Sequence, residues 1–250
     1  MLLRPFLNDA GSCASYLFGC TAHGELAVVD AHADLVDEYV AAAAVIGAPI
    51  VAVFETHVQA DHLSGLPALV ERTGATGYLP EGADVEFAHV ALDDGAAIDL
   101  GTTLVTAMAT PGHAPAHNAY VVADRRRGDD APWLLFSGDS LLVGDLGRPD
   151  LHLADAWGQA ELLHASVRRL LELPDHVVVY PSHYGGSVCG RALSANPFSS
   201  IGFERAHNPL LWHSDPDAFA DALLADVPPR PYEQEQIVAA NRAGKAGIAA

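Results

Sequence analysis

Three side chains of metal-ligand type, His57, Asp61 and His62, fall within one short polar loop, Glu55 to Gly65. The loop follows an apolar run, Ile50-Val-Ala-Val-Phe54, and precedes an amphipathic one, Leu66-Pro-Ala-Leu-Val-Glu-Arg72. That order predicts a buried strand, a loop and a helix. Open α/β architectures build their sites at the carboxyl ends of strands, which is where this loop lies. Imidazoles and a carboxylate this close together point to a metal. Gln59 interrupts the set with an amide.

The arrangement recurs along the chain. Short strands expected over 103–108, 133–137 and 177–180 end in Thr110-Pro-Gly-His113, Gly138-Asp139 and Pro181-Ser-His183. Together with the first loop, four strand ends then carry groups that bind metals, and their convergence is the reason to expect a site. Elsewhere the pattern predicts strands over 14–18 and 26–30, a helix over 34–46 stopped by Gly47 and Pro49, and strands over 85–90, 97–100 and 118–123. Asp124 to Asp130 reads as a solvated hairpin tip, Val143 to Asp150 as an irregular loop, and 154–173 and 198–227 as helical. A helix-and-strand half followed by a strand-rich half that ends in helix implies two αβ layers face to face, with loops gathered at one edge. Residues 1–227 are expected to form one domain. Residues 228–250 are expected to be a docked helix or a frayed tail.

Composition bounds the function. The formal net charge of −19 argues against nucleic acid and membrane surfaces as partners. No apolar run reaches the roughly eighteen residues of a membrane span, and the first residues lack a signal-peptide layout. Cys13, Cys20 and Cys189 form no framework spacing, so all three are expected to be structural thiols in a reducing cytoplasm. His117 is expected to be structural, and His32 to be a surface or packing residue.

The motifs Thr56-His-x-x-x-Asp-His62, Thr110-Pro-Gly-His113, Gly138-Asp139 and Pro181-Ser-His183 resemble those of the metallo-β-lactamase fold superfamily, in the same order. The resemblance implies an αββα sandwich with metal at the sheet edges. Gly147-Arg-Pro-Asp150, and Pro181-Ser-His-Tyr-Gly-Gly186 with Ile201-Gly-Phe-Glu-Arg-Ala-His-Asn208, are similar to the persulfide dioxygenase branch, whose members are often fused to rhodanese domains. No rhodanese domain is expected within these residues, although a separate rhodanese is a conceivable partner, as is a second copy in a homodimer. The branch implies one Fe(II) per chain, held by His57, His113 and Asp139. Such a set leaves positions for a persulfide sulfur and O2. The implied substrates are a glutathione-like thiol persulfide and O2. Arg148, Asp150 and Tyr184 are implied at the substrate side, with an internal Arg148–Asp150 salt bridge and simple packing of Tyr184 as the alternatives, and Gln59, Asp61, His62 and His183 are implied to support the ligands. The alternative is a zinc hydrolase of glyoxalase II or lactamase type acting on a thioester or related substrate. Its first site would need a third histidine where Gln59 stands; Asp61, His62, Asp139 and His183 could still assemble one zinc site.

Overall fold

The computed structural model describes the chain apart from residues 9–11, 152–154, 186–194, 226, 228–229, 231–232 and 246–250, so Cys189 and Gly186 lie outside the described residues. The first half builds a six-stranded sheet in the order β1-β2-β3-β4-β5-β6. Its strands are β1 (Leu2–Asn8), β2 (Cys13–Cys20), β3 (Glu25–Val29), β4 (Ile50–Phe54), β5 (Thr76–Pro80) and β6 (Val90–Leu92). β1, β2 and β3 pair antiparallel, and β3 to β6 pair parallel, with the helix α1 (Val36–Ile46) between β3 and β4 and α2 (Leu66–Thr73) between β4 and β5. Gly47 and Gly74 end those helices in the left-handed conformation, with φ of 78° and 71°. A side chain there would meet its own backbone.

The second sheet comprises β7 (Ala97–Leu100), β8 (Thr103–Ala109), β9 (Asn118–Asp124), β10 (Leu134–Gly138), β11 (Val178–Pro181) and β12 (Ser199–Ser200). Their spatial order is β12-β11-β10-β9-β8-β7. A single turn, α3 (Arg125–Gly128), follows β9, and the outer face carries α4 (Ala156–Leu170), α5 (Ile201–His207) and α6 (Pro216–Leu224). The final helix, α7 (Gln234–Arg242), lies within the stretch expected to dock or fray.

Three apolar clusters make the layers. Leu17, Val28, Tyr39 and Leu69 join the first sheet to α1 and α2. Tyr16, Phe18, Phe54, Tyr120 and Phe136 fill the space between the sheets. Leu135, Leu163, Val167 and Phe219 join the second sheet to α4 and α6. This is the αββα sandwich. Each of these fully buried large side chains contributes on the order of 1.5–3 kcal/mol by leaving water.

Local differences from the sequence pattern have physical causes. β1 is an additional strand whose Pro5 is tolerated because β1 is an edge strand. The segment expected as a strand over 85–90 pairs with β5 only from Val90, because Glu86 donates its N–H to the Arg242 carbonyl at 2.8 Å. Asp124 to Asp130 is the expected hairpin connection between the antiparallel β9 and β10, with residues 125–130 exposed; within it Arg125 ion-pairs with Asp99 and Asp130, and Asp124 caps α3.

Candidate metal centre

Pairing direction decides which residues gather. β3, β4, β8, β10 and β11 all end at one edge of the sandwich, while β2 and β9 run antiparallel to their neighbours and begin there. That edge therefore collects strand starts as well as strand ends. Backbone bonds stitch the two sheets together across it: Ala14 N–H to the Ser182 carbonyl at 2.7 Å, Tyr184 N–H to Ser12 at 3.0 Å, and Asn118 N–H to Thr56 at 2.8 Å.

His57, His113 and Asp139 meet here, each offering one ligand atom within 4.8 Å of the others. All three are at most 1% exposed. Asp139 Oδ2 accepts no hydrogen bond among the described residues and lies 3.4 Å from His113 Nε2. A buried carboxylate oxygen left so is costly unless a cation faces it. The trio therefore fits a divalent metal. Two imidazoles and one carboxylate form a donor set suited to iron, with zinc also accommodated.

Each ligand is oriented from behind. His113 Nδ1 donates to the Arg148 carbonyl at 3.0 Å, since a carbonyl can only accept, and this turns Nε2 toward Asp139. Gly147 makes that approach feasible: a Cβ there would sit 2.1 Å from the Asp139 carbonyl and 2.7 Å from His113 Nδ1. His57 Nδ1 lies 2.9 Å from Thr56 Oγ1, which is 3.0 Å from both carboxylate oxygens of Asp30. The consistent assignment has His57 donating to Thr56 and Thr56 donating to Asp30, leaving His57 Nε2 for the site. Asp139 Oδ1 is 2.7 Å from His183 Nδ1, and His183 Nε2 contacts Asp61, so His183 bridges two carboxylates. Burial raises the Asp139 carboxyl, but the His183 charge and hydrogen bond outweigh it and hold it below the usual range. Burial lowers the His113 imidazole, which favours the neutral form that binds metal.

The other expected residues occupy distinct places. Gln59 is fully buried and donates to Asp30 Oδ1 at 3.2 Å, so it braces the loop. Arg148 forms a two-pronged ion pair with Asp150, at 2.8 Å on each side, and both stiffen the loop that holds His113. Tyr184 packs into the inter-sheet core. His62 turns away from the trio: its Nδ1 is 3.1 Å from Asp61 Oδ1 and its ring stacks on His32 at 3.8 Å. His117 stacks on His57 at 5.0 Å, and its Nε2 accepts the Asp139 N–H at 3.2 Å.

Several residues at this edge carry roles that the strand-end logic does not assign. Asp30, at the end of β3 with φ of 51°, anchors Thr56, Gln59 and Ser182. Burial pushes its carboxyl up against the pull of those bonds. Cys13, at the start of β2, lies 3.5 Å from Asp61 Oδ2. Asn241 of α7 reaches in, donating to the Gln59 carbonyl at 2.9 Å and the His62 carbonyl at 2.8 Å while accepting the Ser64 N–H at 2.9 Å. Glu204 and Asn208 of the 201–208 motif grip the loop before Gly147, through Gly144 N–H at 2.9 Å and the Asp145 carbonyl at 3.1 Å. A cleft of about 840 Å³ is lined by Val58 and Ala114, which follow His57 and His113 in the chain, with Pro115, Leu151, Arg230 and Arg242. No helix among the described residues is long and apolar enough to cross a membrane.

A probable metallo-hydrolase of Burkholderia pseudomallei (strain 1710b) is 32% identical over 216 residues, covering 73% of this chain and 72% of that protein. A hydroxyacylglutathione hydrolase of Pseudomonas entomophila (strain L48) is 33% identical over 165 residues, 66% of this chain but only 54% of the hydrolase. The mitochondrial persulfide dioxygenase ETHE1 of Bos taurus is 26% identical over 246 residues, 96% of this chain and 87% of the relative. Among solved structures, a metallo-beta-lactamase from Staphylococcus aureus has a TM-score of 0.92 at 30% identity, covering 100% of this chain and 74% of that one. ETHE1 from Myxococcus xanthus has a TM-score of 0.85 at 30% identity, covering 98% and 99%. These curated relatives are enzymes or probable enzymes, divided between dioxygenase and hydrolase. With its family model matching residues 8–183, the chain belongs to the metallo-beta-lactamase superfamily.

Proposed function

We propose that this protein is an iron-dependent persulfide dioxygenase, converting a low-molecular-weight thiol persulfide, O2 and water to sulfite and the free thiol. The observation that carries it is the donor set: two imidazoles, His57 and His113, and one carboxylate, Asp139. A third imidazole is missing where a first zinc site would need it, because Gln59 fills that position and is tied to Asp30. His57, His113 and Asp139 would hold one Fe(II), which when bound supplies open positions for sulfur and O2. The chain's own part is orientation. Thr56 and the Arg148 carbonyl set the two imidazoles, and the His183 hydrogen bond keeps Asp139 ionised. The buried site orients the reactants and limits competing oxidation. Arg230 and Arg242, about half exposed at the cleft, are ion-paired with Asp150 and Asp84, and the carboxylates of a glutathione-like thiol would compete for them. The balanced reaction is RSSH + O2 + H2O → RSH + SO3²⁻ + 2 H⁺.

The hydrolase reading is favoured by one observation, the presence of Asp61, His62 and His183 beside the trio. His183 is already clamped between Asp61 and Asp139, and His62 points to His32, which is why the dioxygenase reading stands first. The two separate in metal-stripped protein reloaded with Fe(II) or Zn(II). The dioxygenase consumes O2 with glutathione persulfide only after iron loading, and His113→Ala abolishes both iron retention and O2 uptake. Zinc-dependent thioester hydrolysis without O2 uptake would replace it by the hydrolase.

A further inference from the structure

Behind the trio, on the far side of Asp61, a second group of buried ligand atoms converges. Cys13 at the start of β2, His32 just past β3 and His62 in the β4 loop each offer one ligand atom within 4.8 Å of the others. His32 is 1% exposed, and neither of its ring nitrogens has a hydrogen-bond partner among the described residues. Two unsatisfied nitrogens on one fully buried ring are expensive, and a native fold seldom keeps them without a ligand or ion. His62 presents the same feature from the other side. Its Nδ1 is held by Asp61 at 3.1 Å, which leaves Nε2, and Nε2 has no partner among the described residues. A carboxylate on one ring nitrogen with the other left over is the usual support of a metal-bound histidine.

We propose that Cys13, His32 and His62 form a second cation site, for a thiophilic divalent ion of the zinc type, separate from the centre at His57, His113 and Asp139. One sulfur and two imidazole donors are the chemistry zinc selects. A tetrahedral zinc holds such donors roughly 3.3–3.6 Å apart; the His32 and His62 rings are stacked, with centroids 3.8 Å apart and planes 7° from parallel, so binding turns one ring about its Cβ–Cγ bond to bring both nitrogens onto one ion and leaves a fourth position for water. The site shares only His62 with the zinc set that the sequence allows, Asp61, His62, Asp139 and His183, because His183 is committed to the two carboxylates. It does not depend on which reaction the first centre performs.

Cobalt(II) is the probe, added anaerobically to iron-loaded protein, since a cobalt–thiolate bond gives a near-ultraviolet charge-transfer band. About one further equivalent should bind per chain with that band. Cys13→Ser should abolish the band, His32→Asn should abolish the extra equivalent, and Cys20→Ser should change neither. His113→Ala should lose the iron yet keep the cobalt–thiolate band, which separates this site from the first centre. Because Cys13→Ser and His32→Asn alter buried positions, circular dichroism checks their folding. The wild type offers an independent test, in which zinc-edge X-ray absorption of the zinc-loaded protein should show a sulfur ligand. A band that survives Cys13→Ser, or a zinc spectrum without sulfur, overturns the site.

Discussion

The backbone carbonyl of Arg148 accepts the Nδ1–H of His113 at 3.0 Å, so a loop outside both sheets decides which imidazole nitrogen faces Asp139. That contact needs Gly147, where a Cβ would lie 2.1 Å from the Asp139 carbonyl and 2.7 Å from His113 Nδ1. Real Cβ atoms do not approach so closely, so Gly147→Ala must displace the loop. Support of this kind is worth roughly 10–100-fold in metal affinity. Chelator competition should show a loss of about that size with the fold retained; an unchanged affinity would mean that the Arg148 carbonyl does not position His113.

The Asp30–Thr56–His57 relay predicts a paired result. Thr56→Val removes the hydroxyl that links the buried carboxylate to His57, and should weaken metal binding roughly 10–100-fold while costing about 1–3 kcal/mol of stability. Thr56→Ser restores the hydroxyl and should recover most of both, as read by chelator competition and thermal melting. Damage from serine with none from valine would point to lost methyl packing instead.

α7 contributes to the centre as well as to the fold. Asn241 makes three hydrogen bonds to the 59–64 backbone, at 2.8 to 2.9 Å. Asn241→Ala leaves buried backbone groups without partners, so it should destabilise by about 1–3 kcal/mol. It should also speed hydrogen exchange at Ser64, whose N–H bonds Asn241 Oδ1. Exchange at Ser64 that matches the parent would show that α7 leaves the motif loop unbraced.

Asp94 supplies a pH signature away from the metal ligands. The Ala109 N–H and the Arg169 guanidinium, both at 2.9 Å, hold its carboxyl below the ordinary 3.8. A carboxylate depressed in the folded state stabilises fully above its unfolded value, and that stability is lost as pH falls through the folded one. Asp94→Asn should therefore lower Tm at pH 7, and the gap from the parent should shrink as pH drops below 3.8. A gap independent of pH would assign the effect to lost packing.

Much of this was legible in the sequence, and the remainder was hidden for definable reasons. Apolar runs ending in His57, His113, Asp139 and His183 locate the metal edge because ligands follow strands. Cys13 begins β2 and His117 precedes β9, and only antiparallel pairing, which a single strand does not reveal, brings strand starts to that edge. Asp30 closes the strand expected over 26–30, but a lone carboxylate without a neighbouring ligand-type residue did not mark it as part of the edge. The bond between Arg148 and His113 runs through a backbone carbonyl, which carries no residue signature. Asn241 sits 182 residues from Gln59, beyond the reach of local pattern.

The most direct measurement is the reaction balance of the iron-loaded protein with glutathione persulfide, followed by an oxygen electrode and by sulfite determination. The dioxygenase reading predicts one O2 consumed and one sulfite formed for each persulfide, both lost in Asp139→Asn. No oxygen uptake in protein shown to carry iron at His57, His113 and Asp139, together with hydrolysis of a glutathione thioester, would contradict it.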